Sequence, residues 1–387
     1  MVTDDMTAGR AGPGGEPPHP SGAGREPQPV AAPAAEREEP AGESRLIGFL
    51  RDLTQTYGPS GREEAVREYI RARVEAWADE VRVDALGNLI ARRGPRGGAA
   101  PGRGGGSGRR IMVAAHMDEI ALIATHIDEK GFIRVEPVGG QDPVILMGQR
   151  VEFAGGVIGV VSSEKLDGAR DLKMGKLFVD IGAASGDDAR RSVRVGDMAV
   201  FHRPLERAGR RLVAKAMDDR SGCAVVMEAM ARLEDSPHEV FFVFTVQEEV
   251  GLRGARTASF GIEPDVAVAV DITLAGDTPE PEHRVAVELG KGPAVKVKDN
   301  SQIAHPLVRR WMEGTAEAEG ITYQLEVLPF GGTDAGAMQL ARAGVPAGTL
   351  SIPTRYAHTP GEMVDAGDLE GAVRLLVAML QRPLPEL

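Results

Sequence analysis

Six side chains with metal-ligand or acid–base chemistry follow short apolar runs in this sequence. The run 111–115 leads to His116 and Asp118, and the run 241–246 to Glu248 and Glu249. The run 266–270 leads to Asp271, and 349–353 to His358 five residues on. Asp218 and Asp219 precede a helical pattern that starts at Cys223. Taken singly, each has a plain structural explanation: Asp218 suits a helix cap, Asp271 a turn, and Glu248 with Glu249 a solvated pair. No structural requirement repeats carboxylates and imidazoles after strand upon strand. Histidine and carboxylate without cysteine suit zinc, cobalt or manganese. Five or six donors exceed what one tetrahedral ion uses, so two ions bridged by a carboxylate is the economical reading.

The apolar runs are the elements that must position these groups. They are short and nearly continuous, as in strands buried on both faces, and helical patterns separate several of them (223–233, 306–317, 335–342). That alternation predicts an α/β fold with a mostly parallel central sheet flanked by helices. In such a sheet the ligand crevice lies beyond the carboxyl ends of the strands, so four strands deliver donors to one rim. Upstream, Leu46, Phe49, Leu50 and Leu53 have helical spacing, and a second helix runs through Val66, Ile70 and Val74 with Ser60 as a candidate cap. A hairpin is expected across 81–91. Between 119 and 205 short β-like pieces alternate with Gly, Asp and Lys turns, which reads as a small all-β module inserted into the α/β domain (43–118 and 206–387).

Composition narrows the function. The 57 acidic residues outweigh 45 basic ones for a net charge of −12, which disfavours nucleic acid or an anionic membrane as partner. Only 16 aromatics occur, with no basic–aromatic stripe for base stacking. The single Cys223 excludes an internal disulfide framework. No apolar run is long enough to span a bilayer and no secretory signal is visible, so a cytoplasmic location is expected. Residues 1–42 hold eight Pro, seven Gly and almost no large apolar residue, and read as a disordered tail. The stretch 94–108, with eight Gly and two Pro, reads as a flexible hairpin tip. His126, His202, His238, His283 and His305 have no partner donors nearby in sequence and read as structural, and His19 lies in the tail and is not expected to be a ligand.

The blocks AAHMDEI, KAMDDRSGCAVVMEA, FTVQEEVGLRGA, AVDIT, GGTDAGA and SIPTRYAHTPGEMVD resemble, in order, those of the tetrahedral aminopeptidase family. These are dinuclear metallopeptidases of zinc-exopeptidase-like fold that include glutamyl aminopeptidases and members once labelled cellulases. The resemblance runs from about Leu46 to Leu380 and omits the tail. It implies a metal-dependent aminopeptidase with two divalent ions, zinc or cobalt, per subunit. Asp218 would bridge the ions, His116 and Asp271 complete one, and Glu249 and His358 the other. Glu248 would be the general base and Asp118 would orient His116. The resemblance also implies a cis bond between Asp218 and Asp219, a peptide substrate, and inserted modules that build dimers and then hollow tetrahedral dodecamers. Gly332, Thr333, Asp334 and Arg355 are weaker candidates for substrate contact, and Thr333 or Asp334 could equally cap a helix. Two other readings stand beside it: a dinuclear deacylase or carboxypeptidase, which would share the donors, and a catalytically silent scaffold, which would be expected to lose the base or a ligand, whereas this chain keeps Glu248 and all five donors.

Overall fold

The computed structural model describes residues 44–95, 108–279 and 285–385. The expected tail, most of the Gly-rich tip, His19 and His283 lie outside them. The chain enters through α1 (Arg45–Gln55) and α2 (Glu64–Val74), whose Leu50, Leu53, Val66 and Ile70 are buried on one face of each helix. Ser60 does not cap α2; the capping position falls at Glu63, and the Ser60 hydroxyl donates to the Asp118 carboxylate at 2.6 Å instead. The hairpin β1 (Glu80–Val83) and β2 (Leu89–Arg93) follows, then β3 (Arg110–His116).

Beyond β3 the chain leaves the main sheet. Strands β4 (Ala121–Ile127), β5 (Ile133–Val138), β6 (Arg150–Phe153), β7 (Val157–Ser163), β8 (Leu177–Asp180) and β9 (Met198–Phe201) close into a barrel in the order β4-β5-β8-β7-β6-β9. Short helices α3 (Pro143–Leu146) and α4 (Gly186–Ser192) lie along this stretch. The barrel has its own core, including Leu122, Ile133, Phe153, Val161 and Val179. Closure leaves no free sheet edge.

The chain returns through β10 (Glu206–Ala208), β11 (Arg211–Ala214), α5 (Met217–Arg232) and β12 (Glu239–Thr245). It continues with α6 (Arg253–Ile262), β13 (Val266–Leu274), β14 (Ala294–Lys298), α7 (Pro306–Glu319) and β15 (Gln324–Val327). It ends with α8 (Asp334–Met338), β16 (Ala347–Arg355), β17 (Glu362–Asp365) and α9 (Ala366–Gln381). The sheet runs β1-β2-β12-β3-β13-β16-β17-β11-β10, with β14 and β15 joined to β16. Parallel pairing is confined to β12, β3, β13 and β16 and to the pair β14 and β15; the flanks are antiparallel, so the sheet is mixed. The parallel centre explains the continuous apolar runs. Ile111, Val113 and Ala115 pack toward α1, α5 and α9, whereas Met112 and Ala114 pack toward α6 and α8. Helices α6 and α9 are additions to the sequence expectation, and α8 stops at Met338 because the chain then turns, with Arg342 at φ +53°. Among the described residues no helix is long and apolar enough to cross a membrane.

Asn88 locks the exit of β12 to the β1–β2 turn. Its buried amide donates to Asp84 Oδ2 at 2.7 Å and to the Gly254 carbonyl at 3.0 Å, and its Oδ1 accepts from the Val246 N–H at 3.0 Å. Gly254 is required here, since a Cβ would stand 2.3 Å from Asn88 Oδ1. Asn88→Ala strands buried backbone groups and should cost roughly 2–4 kcal/mol. Urea denaturation of the variant against the parent checks this figure.

Candidate metal centre

Register brings the donors together. Thr245, the last residue of β12, pairs with His116 at the end of β3. Ala269 of β13 pairs with Ala114, which sets Asp271 level with His116 two residues further on. Asp271 pairs in turn with Ser351 of β16, the strand that leads to His358. The strand β12 ends before the two glutamates, and Gln247 at φ +55° turns the chain so that both can face the same cleft. Asp218 and Asp219 lie in a turn ahead of the regular part of α5, with non-helical backbone angles and a cis peptide bond between them, as expected.

At the centre of the rim stands the Asp218 carboxylate. Its Oδ1 is 3.0 Å from His116 Nε2 and its Oδ2 is 3.3 Å from His358 Nε2. Asp271 Oδ1 is 4.0 Å and Glu248 Oε2 3.9 Å from the same His116 nitrogen, and Glu249 Oε2 is 3.5 Å from His358 Nε2. Among the described residues, His116, Asp218 and Glu249 form one group able to hold a metal ion, and His116, Asp219 and Asp271 another. Asp219 has prior commitments, because its two oxygens accept from the backbone N–H groups of His116 and Gly222.

A second ring of groups holds this one in place, and most of it was missed from sequence. Asp118 accepts from the N–H groups of Glu248 at 3.0 Å and Glu249 at 3.2 Å, besides the Ser60 hydroxyl, and lies 3.5 Å from His116 Nδ1. Glu63 accepts from the N–H of Gln247 at 3.1 Å. Glu362 accepts from the N–H groups of Asp218 at 3.1 Å and His358 at 2.7 Å. The Gly140 carbonyl, on the loop after β5, is 2.8 Å from His358 Nδ1. A Cβ on Gly140 would sit 3.2 Å from the same nitrogen, a tight contact that would press on the ring. Asp118 was read from the sequence; for Glu63, Glu362 and Gly140 the only signal was the place of Glu362 within the His358 block.

The electrostatics ask for cations. Burial pushes the carboxyls of Glu248 and Asp271 well above the usual range, and Asp218 adds to the effect at Asp271. Burial and the neighbouring Asp218 push Glu249 up to about 8. Burial opposes charge on His358, but the Asp218 hydrogen bond and the surrounding carboxylates outweigh it and raise the imidazolium to about 10. Burial likewise opposes charge on Asp118, yet the His116, Ser60 and Glu248 contacts hold its carboxyl below the usual range. Glu249 Oε1 is buried with no hydrogen-bond partner. Buried, unpaired carboxylate oxygens beside imidazole nitrogens are what divalent ions would satisfy. The residues therefore fit divalent metal.

The donors line a cleft of about 520 Å³ together with Gly332. The other weak substrate candidates are engaged elsewhere. Thr333 bonds to Gln302 and Thr349, Asp334 accepts from Thr245 at 2.5 Å, and Arg355 pairs with Asp277 at 2.6 Å. His238 bridges toward the carbonyl of Arg382 and His305 caps α7, both structural tasks. Cys223 is buried and its thiol points at the His116 carbonyl.

Residues 98–375 match the model of the M42 glutamyl aminopeptidase family. A protein of Acetivibrio thermocellus named as a candidate aminopeptidase is 47% identical, over 87% of this chain and 98% of its own. The aminopeptidase APDkam598 of Desulfurococcus kamchatkensis superimposes with a TM-score of 0.82 at 39% identity, covering 87% of this chain and 94% of that one. The Pyrococcus horikoshii TET1 peptidase, described as assembling into a tetrahedron or a large octahedral shell, gives 0.76 at 34% identity, with 87% and 99% covered.

The proton balance of the site predicts how stability follows pH. Burial holds Glu249 and Glu362 at about 8, so the folded chain keeps protons that the unfolded chain releases near 4.5. His358, raised from 6.5 to about 10, adds stability that is complete below 6.5 and lost as pH climbs through 10. Both effects have the same sign. The chelated protein should lose melting temperature from about pH 5 to about pH 9. Added zinc should raise it more near pH 8 than near pH 5.5, because ligation requires deprotonated donors. Thermal melts with chelator and with zinc across that range measure both.

Proposed function

The chain belongs to the M42 glutamyl aminopeptidase family and is a metal-dependent aminopeptidase, and we propose that Glu248 is its general base beside a pair of divalent ions. One observation carries the reading: the two oxygens of Asp218 face two different imidazoles, at 3.0 and 3.3 Å. Asp218 would hold both ions, with His116 and Asp271 as further ligands of one and Glu249 and His358 of the other. Zinc or cobalt suits this donor set. When bound, the ions supply Lewis-acid activation of water and of the scissile carbonyl.

The remaining work belongs to the chain's own groups. Glu248 takes a proton from the attacking water and returns it to the leaving amine. Burial raises its carboxyl above the usual range, the direction that makes a carboxylate a better base. Asp118 holds the backbone of Glu248 and Glu249 through its carboxylate, and its backbone carbonyl, 3.1 Å from His116 Nδ1, sets the tautomer of that ring. Glu362 and the Gly140 carbonyl fix His358 from two sides. The likeness to the TET1 peptidase, described as assembling into a tetrahedron or a large octahedral shell, supports assembly into a homo-oligomer, a dodecamer built from dimers, and the exposed Val144 and Val195 (67% and 64%) on the barrel segment are residues such contacts would cover.

Two Gln variants separate the base from the ligand. Glu248→Gln should retain two equivalents of metal and lose roughly 10²- to 10⁴-fold in turnover. Glu249→Gln should lose metal affinity first and regain part of its activity in excess metal. Elemental analysis alongside turnover, with free-amine and N-acetylated peptides compared, reads all of this. Light scattering tests the assembly: the mass of one subunit at micromolar concentration excludes an oligomer, and that of two excludes the dodecamer.

A further inference from the structure

Outside the ligand cluster, the cleft is walled by Leu252, Ile272, Leu274, Leu328 and Phe330, with Lys296 at its inner side. Among the described lining residues Lys296 is the one charged side chain that does not belong to the donors. Only 1% of it is exposed, and its ammonium is spoken for. Lys296 Nζ lies 2.8 Å from Glu326 Oε1, its register partner on β15, and 3.9 Å from Asp299 Oδ2. Glu326 is held in turn by the Thr273 hydroxyl, and Asp299 by the N–H groups of Ser301 and Gln302. Neither carboxylate lines the cleft.

We propose that this neutralised lysine makes the cleft select peptides whose first residue is uncharged and apolar, such as Leu, Met or Phe. The inference rests on the aminopeptidase reading above. The side chain of the first residue must lie beside the ions that act on its carbonyl, so these walls receive it. An acidic side chain would have to draw Lys296 away from a partner already at hydrogen-bond distance in a dry site, with two fixed carboxylates behind. A basic side chain would meet the ammonium first, a like-charge encounter. An apolar side chain buries against Leu and Ile with no such conflict.

The test is a panel of leucyl, glutamyl and lysyl chromogenic substrates on the metal-loaded full chain. It is paired with calorimetric binding of free leucine, glutamate and lysine as products. Leucyl kcat/KM should exceed the other two at least about tenfold, with leucine binding tightest. Glu326→Gln leaves the lysine charge exposed to the cleft and should raise the glutamyl-to-leucyl ratio roughly tenfold, mainly through KM. Lys296→Met should raise the lysyl-to-leucyl ratio instead. A purely structural pair would lower all three substrates together. A glutamyl or lysyl preference in the parent chain, or ratios unchanged in both variants, overturns the proposal. Hydrolysis of none of the three would count against the aminopeptidase reading itself, while the product-binding order would still decide the selectivity.

Discussion

Like charges crowded into a dry rim must be held by something stiffer than their own side chains. Asp218, Asp219, Glu248, Glu249 and Asp271 converge within a few ångströms, and left alone they would repel one another or draw protons. The fold answers with backbone N–H groups and buried carboxylates aimed at the backbone of the donors. Asp118 takes two consecutive N–H groups, Glu362 takes those of Asp218 and His358, and Asp219 takes that of His116. The donors are thereby fixed before any ion arrives, which is the preorganisation a metal site requires.

The barrel and the sheet meet at this same place. Glu119, just beyond Asp118, receives both a bidentate contact from Lys215 at 2.7 and 2.8 Å and one from Arg220 at 3.3 Å, all buried. Arg220 also donates to the carbonyls of Thr56 and Gly58, tying the end of α1 to the turn that carries Asp218. A buried ionic cluster is a poor source of stability, but it admits few alternative arrangements. Here it sets where the chain leaves the sheet and where it returns. The consequence for the site is direct, since the loop after β5 then supplies the Gly140 carbonyl to His358.

The donors sit on the central parallel strands and the turn before α5, and the walls of the cleft share β13 with Asp271 and add β14 and the segment 328–332. The pair Lys296 and Glu326 spans β14 and β15, and the hydroxyl of Thr273, two residues beyond Asp271 on β13, ties it to the strand that carries the donor.

The parallel centre of the sheet was legible in the sequence, because strands buried on both faces write continuous apolar runs and their ends carry the chemistry. His116, Glu248, Glu249 and Asp271 were readable on that ground, and Asp218 and His358 from their blocks. Composition disfavoured nucleic acid as a partner. What tertiary structure alone decided was how these groups are held. Gly140 and His358 are 218 residues apart, Asp218 and Glu362 are 144, and Ser60 and Asp118 are 58. Ser60 reads locally as a helix cap, and Arg355 as a group free to meet substrate; both have partners that no local pattern announces. Periodicity encodes which face of an element is buried. It does not encode which distant polar group will stand opposite a given side chain, because only the packing of separate elements brings the two together.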